Sequence, residues 1–296
     1  MTPFAVFLLT LVRTSALFSG VTLVFLSPFP RPYAPPASWA AVEVRTPRTQ
    51  HTIQELAEQL HAADPAVRAR AACDLRERGD NAAAAIEALI ALLPDAAPLE
   101  RSVCRQNWWR WNPDDPTTPG EQAASALVAI GSRAFEPLVG ALKHQSWIAR
   151  RNAVWALGAL DDVRAVEAIV PVMKDRETPV REQAAWALGA LDDPSAVPAV
   201  ISGLKDPGAR VRRQSAWAAG ALDDHRAVDA LIGVLRDHDR AVREQAAWAL
   251  GAIGDNRAVE SLLPLLKDPE PPVRRQAAWA IGALSREEES KEAQVR

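Results

Sequence analysis

The chain has 296 residues, 48% of them hydrophobic but only 6% aromatic, so Ala, Leu and Val carry the apolar load, a mix that leans to helix. Its 34 basic and 37 acidic residues leave a formal charge of −3, and no basic excess points to nucleic acid. The length exceeds a usual single domain, which a repeat array does without one large core.

The first 40 residues differ from all that follow. Phe4 to Phe29 is mostly apolar, is interrupted by Arg13 and holds no acid. Thr14 to Leu26 reads as the apolar centre of an export signal, and Ser38-Trp39-Ala40 offers small residues for cleavage before Ala41. The rival reading is an uncleaved anchor, with possible membrane attachment through residues 4–29 and Arg13 reaching to the interface. The protein is therefore expected in an exported, periplasmic or extracellular location, or N-terminally anchored in the membrane. Residues 41–51 read as a linker.

From about residue 52 to 284 the chain repeats itself. Trp155, Trp186, Trp217, Trp248 and Trp279 are spaced by 31 residues, and so are Val166, Val197, Val228 and Val259. Each unit predicts two helices. In the clearest unit the first runs from about Pro179 to Leu191, with Pro at its start. The second runs from about Ser195 to Lys205, and the pairs Asp161/Asp162, Asp192/Asp193 and Asp223/Asp224 supply capping groups between helices. Asp206-Pro207-Gly208 ends the unit. Neither helix buries its apolar face alone, so neighbours must stack. Two degenerate units come first, placing Cys73 and Ser125 at the Trp position, and residues 52–62 look like a preceding half-unit. Between the degenerate units lies a Pro-rich insertion, about 94–120, carrying Trp108-Trp109-Arg110-Trp111. The charged tail, residues 285–296, is expected to fray or to extend the last helix.

The unit contains Val180-Arg181, Ala184-Ala185, Ala187-Leu188-Gly189, Ala196-Val197 and Lys205-Asp206, with counterparts in its neighbours. This pattern resembles the HEAT-like repeats of the phycobilisome-lyase type and artificial proteins built on the same 31-residue consensus. The resemblance covers residues 52–284 except the insertion. It implies an all-α, right-handed α-solenoid of about seven helix pairs. It also implies that the first helix of each pair lines a concave surface used for binding, and that an Asp/Arg ladder joins the units. The ladder residues are Asp175, Asp206, Asp237 and Asp268 with Arg150, Arg181, Arg212, Arg243 and Arg274, read here as Asp-x5-Arg pairs linking turns by charge-assisted hydrogen bonds. Trp-bearing units of this kind are also similar to the repeat tails of some membrane-anchored bacterial peptidases and sensors.

At 100° per residue, Val180, Ala184, Ala187, Leu188 and Leu191 fall on one stripe, and Trp186 falls almost opposite with Glu182 and Gln183. The expected partner-binding residues are therefore Trp155, Trp186, Trp217, Trp248 and Trp279, together with Gln183, Gln214, Gln245 and Gln276. The bland reading of the same indoles is that they cover the seams between units. Four residues before each Trp the charge alternates, through Arg151, Glu182, Arg213, Glu244 and Arg275, an arrangement suited to setting stacking register. Trp108, Trp109 and Trp111 are expected to cap one end of the groove or to pack on their own loop. Cys73 lies on the Trp face, where a folded-back insertion brings Cys104 to it, and the two are expected to form a disulfide.

No catalytic, metal or cofactor site is expected. His51, His61, His144, His225 and His238 form no His-Glu pair and no His-x3-His spacing, unlike the iron-holding HEAT-type hydroxylases. No Gly-rich phosphate loop occurs; Gly158, Gly189, Gly220, Gly251 and Gly282 recur inside helices, where they permit close packing. The function expected is a non-catalytic scaffold that takes a protein or peptide partner in its groove. A lyase-like accessory enzyme or a regulatory array are the alternatives.

Overall fold

The computed structural model describes residues 51–99 and 118–295, with side-chain surroundings through residue 286. The export signal or anchor, Cys104, Trp108, Trp109 and Trp111 lie outside these residues. A half-unit helix α1 (Ile53–Gln59) is followed by six helix pairs: α2 (Pro65–Arg78) with α3 (Ile86–Leu92), α4 (Pro119–Ile130) with α5 (Phe135–Ala141), α6 (Trp147–Ala159) with α7 (Ala165–Ile169), α8 (Thr178–Ala190) with α9 (Val197–Gly203), α10 (Ala209–Ala221) with α11 (Val228–Val234), and α12 (Arg240–Ile253) with α13 (Val259–Leu262). A last first-type helix, α14, runs from Pro271 to Val295. Consecutive first helices pack on one another, as α6 on α8 and α8 on α10, and each second helix packs against the next first helix. This is an α-solenoid.

The expected stripe is the core. Val180, Ala184, Ala187, Leu188 and Leu191 are buried, and Val197, Val200 and Leu204 meet them from the second helices. Each fully buried Val or Leu contributes roughly 1.5–3 kcal/mol, and the contiguous cluster runs from Leu56 to Leu284. Ala185 and Gly189, off the stripe, are also buried, because the first helices of adjoining units cover them. The second elements tighten into 3-10 turns where proline breaks the helical ladder, at Val170–Lys174 with Pro171 and at Leu263–Lys267 with Pro264.

The Asp-Asp pairs divide their work, which corrects the reading of both as caps. The second aspartate caps: Asp193 accepts from the backbone N–H of Ser195 at 2.8 Å, and Asp224 does the same for Arg226. The first sits in the left-handed region that lets the chain turn back, with φ of 55° at Asp161, 51° at Asp192 and 48° at Asp223. The next unit uses Gly254 there, at φ 73°. Left-handed backbone costs an ordinary L-residue about 1–2 kcal/mol, and Gly nothing. Asp192→Gly should therefore stabilise the protein by about 0.5–1 kcal/mol after the unfolded-state entropy of Gly is deducted, read as a raised urea midpoint. An unchanged or lowered midpoint would refute this account of the turn.

Ser215 breaks the Ala pattern of the stripe. Its hydroxyl is buried, and no hydrogen-bond partner satisfies it. Gly203 on α9 makes room, since a Cβ there would collide with Oγ of Ser215 and stand 2.6 Å from the Cε of Met173. An unsatisfied buried hydroxyl costs about 1–3 kcal/mol. Ser215→Ala should raise stability by about 1 kcal/mol in chemical denaturation, and a loss would show that Oγ has a partner after all.

The insertion is anchored at both stems. Arg68 Nε donates to Asp95 Oδ2 at 2.7 Å, Gly120 N–H donates to the Asp95 carbonyl at 3.0 Å, and the Asn152 amide donates to the Leu93 carbonyl at 2.9 Å. A Cβ on Gly120 would lie 2.5 Å from that Leu93 oxygen, so only glycine lets helix α4 start against the stem. Leu99 packs on Ala69 and Cys73, giving α2 a small apolar cover of its own. Cys73 is disulfide-bonded, with its sulfur 3.3 Å from Gln122 Oε1. The chain's second cysteine, Cys104, is outside the described residues.

Candidate partner-binding face

Four of the row's tryptophans, Trp186, Trp217, Trp248 and Trp279, are set by glycines in the unit before them. A Cβ on Gly158 would lie 3.0 Å from Cζ3 of Trp186; on Gly189, 2.8 Å from Trp217; on Gly220 and Gly251, 2.7 Å from Trp248 and Trp279. The same hypothetical methyls would lie 2.8–3.0 Å from Cα of Ala187, Ala218, Ala249 and Ala280. Each indole therefore slots one ring edge into the gap that glycine leaves, while the two helix backbones close beside it. Trp186, Trp217 and Trp248 are half-buried by this packing and Trp279 is exposed; Trp155, with Leu127 and not glycine at the matching position before it, is half-buried as well. Seam covering and a partly open aromatic row are thus properties of the same residues. Trp186, Trp217, Trp248 and Trp279 lie against Gly and Ala of the preceding unit.

Beside them, Gln183, Gln214, Gln245 and Gln276 are half-buried. In the alternating charge row, each arginine reaches back to the acid of the preceding unit, Arg213 to Glu182 at 3.6 Å and Arg151 to Glu121 at 3.0 Å, and Arg151 also lies over the ring of Trp147 at 5.7 Å. Trp147 went unnoticed in the sequence because it falls outside the 31-residue spacing.

The Asp/Arg ladder forms, with a different pairing from Asp-x5-Arg. Four of the arginines each grip the aspartate 25 residues ahead with two bonds: Arg150 to Asp175 at 2.6 and 2.8 Å, Arg181 to Asp206 at 2.7 and 3.0 Å, Arg212 to Asp237 at 2.7 and 2.8 Å, Arg243 to Asp268 at 2.8 and 3.0 Å. The aspartate six residues before gives its carbonyl, as Asp175 does to Arg181 at 2.7 Å and Asp206 to Arg212 at 2.9 Å. Each inner aspartate thus bridges two arginines, through carboxylate and backbone. Donating hydrogen bonds to these aspartates lifts the guanidinium pKa of Arg150, Arg181, Arg212 and Arg243. The Arg243 bond likewise holds the Asp268 carboxyl below its ordinary value. All of this chemistry is internal. Among the described residues no cluster of His, Cys, Asp and Glu is arranged to hold a metal ion.

Three overlapping stretches, residues 114–181, 166–248 and 233–293, match the family model for HEAT repeats, more than half of the chain. The chain is a member of the HEAT-repeat family. No curated protein matches it. Among solved structures, the HEAT array is similar to yeast importin-β, Kap95p, at 16% identity and a TM-score of 0.55, covering 79% of this chain and 37% of that one. It is similar to Kap95 in the Kap95:Nup1 complex at 17% identity and a TM-score of 0.57, over 83% and 38% of the two chains. The CpcE and CpcF complex of phycocyanin lyase from Nostoc sp. PCC7120 aligns at 23% identity with a TM-score of 0.42, covering 88% of this chain and 100% of that one.

Proposed function

We propose that the HEAT array is a protein-binding scaffold that takes a segment of a partner along the tryptophan row of its first helices. The observation that carries this reading is the slotting of Trp186, Trp217, Trp248 and Trp279 into glycine gaps. It fixes one ring edge and leaves the remainder of a rigid aromatic surface repeated at every unit. Rigid aromatics bind with little ordering entropy and dominate binding energy where they are enclosed. Gln183, Gln214 and Gln245 beside them offer amide donors and acceptors to a peptide backbone. Solved HEAT solenoids of similar fold are seen with protein partners, Kap95 with Nup1 among them. The export signal or anchor expected at residues 4–29 would put the partner outside the cytoplasm or at a membrane.

Affinity capture from the exported fraction tests the reading. Changing Trp186, Trp217 and Trp248 to Ala should abolish partner recovery. Because those changes also empty the seams, Gln183, Gln214 and Gln245 changed together to Glu form the second arm, which leaves the indole slots filled. Recovery should fall at least tenfold there, with helix content by circular dichroism unchanged. Partners captured equally by wild type and by the Gln variant would overturn the proposal.

A further inference from the structure

Among the described residues the last unit shows its first helix alone. In the four inner units the first helix ends at Leu160, Leu191, Leu222 or Ile253 and turns through a left-handed residue into a second helix. The equivalent position after α14 is Ser285, and the helix runs on to Val295. No second helix lies beside it among the described residues.

Three separate groups register what is absent. Arg274 Nη1 donates to the carbonyls of Asp268 and Pro269 at 2.6 and 3.0 Å, as its counterparts do in their own units. Its Nε and Nη2, the two groups that grip an aspartate in every inner unit, have no carboxylate among the described residues. That aspartate always sits directly after the unit's own second helix: Asp206 after α9, Asp237 after α11. Leu263 and Leu266, on the second element of the sixth unit, are 49% and 40% exposed. Leu204 and Leu235, matching Leu266 in the fourth and fifth units, are 2% exposed. Met173, the match in the other proline-bearing turn, is partly covered by the next unit's second helix, since its Cε would lie 2.6 Å from a Cβ on Gly203. Among the described residues no further second helix packs over Leu263 and Leu266.

A single element would satisfy all three. We propose that this end of the array is the docking site for an amphipathic helix supplied by a partner protein. The site selects apolar residues at positions 1, 4, 5 and 8 of that helix and a carboxylate at position 10. This is the pattern by which α9 (Val197, Val200, Ile201, Leu204, Asp206) and α11 (Val228, Leu231, Ile232, Leu235, Asp237) occupy the same place within the array. The mode is a helix laid in a groove and closed by a charge-assisted bidentate pair. It uses a surface distinct from the tryptophan row and does not depend on it.

The array's own second helix is the probe. A fluorescein-labelled peptide of residues 228–239 is titrated with the full chain and read by anisotropy. Saturable binding is expected. Leu266→Asp, an exposed site whose change leaves the core intact, should weaken it at least about tenfold. Arg274→Gln and a peptide carrying Asp237→Asn should each weaken it about tenfold, and together no further, because they remove the same pair. Binding no stronger than that of a scrambled peptide up to about 1 mM would overturn the proposal. Binding indifferent to both Leu266→Asp and Arg274→Gln would do so too. Self-association of the chain that Leu266→Asp abolishes would show that a second copy fills the face, and would equally sink the assignment.

Discussion

Asp237→Ala should cost the protein about 3–5 kcal/mol, the range for removing one partner of a buried ion pair, whereas Asp229→Ala should change stability by less than about 1 kcal/mol. The two aspartates lie eight residues apart and differ in surroundings. Asp229 meets Arg257 at 3.3 Å with its side chain 84% exposed. Asp237 is 7% exposed, takes Nε and Nη2 of Arg212, and accepts from the backbone N–H of Asp239 at 2.9 Å. Removing its carboxylate leaves the Arg212 fork desolvated and unpaired while Nη1 stays tied to the carbonyls of Asp206 and Pro207. Arg212→Ala added to Asp237→Ala should then cost little more than the single change, because the orphaned charge leaves with it. Since each unit touches only its neighbours, the break should also split urea unfolding into two transitions. A single transition within 1 kcal/mol of wild type would show that the ladder contributes register and not stability.

The same ladder sets an acid limit. At Asp175 and Asp237 burial, the largest single influence, pushes the carboxyl up, but the arginine bond, a backbone N–H bond and the nearby positive charge together outweigh it and the net pKa falls below the ordinary 3.8. At Asp268 the Arg243 bond leads and the direction is the same. A carboxylate whose folded pKa is depressed contributes stability that is complete above its unfolded value and is lost as pH falls through the folded one. The melting temperature should thus respond little to these groups above pH about 5 and drop steadily below pH about 4.

Much of this was legible in the residues and some of it was not, for reasons that can be named. The stripe from Val180 to Leu191 follows from helical period alone, and every member is buried. The wheel put Trp186 off that stripe correctly, but it treats one helix at a time. It therefore missed that the indole belongs to a glycine 28 residues earlier, on another helix. The ladder failed in the same way: Asp and Arg six apart are neighbours in sequence, while the carboxylate that Arg181 holds is reached only after α9 folds back. Local turn chemistry hid the role of Asp192, since Asp is common both as a cap and in left-handed backbone. Ser215 looks like a neutral replacement of Ala until Gly203 is seen facing it across the core. Pairings between helices are what a single periodic reading leaves out.

One substitution, Gly to Ala, should have opposite signs at two equivalent positions. In Gly220→Ala the new methyl meets Trp248 Cζ3 at 2.7 Å, Ala249 Cα at 2.8 Å and Ala249 Cβ at 3.0 Å. Two of these atoms belong to the helix α12 framework and move only if the whole unit shifts. Overpacking of this kind costs about 1–3 kcal/mol, more than the helix propensity that Ala adds, at most about 1 kcal/mol. Relieving the ring alone, by Trp248→Phe, should recover only part of the loss, because the backbone contact to Ala249 stays. Gly282 is the next but one in the same series, with no unit stacked over it among the described residues. There the nearest atom to a new Cβ is Arg286 Nη1, at 3.5 Å. Gly282→Ala should accordingly stabilise by about 0.5–1 kcal/mol, since only helix propensity changes. Thermal and urea denaturation of the two variants side by side decide the matter. Equal effects at both sites would mean that the glycines serve the helix and not the seam. Opposite signs would tie the 31-residue period to its physical cause: each unit needs a residue without a side chain where the next unit's tryptophan and backbone close on it.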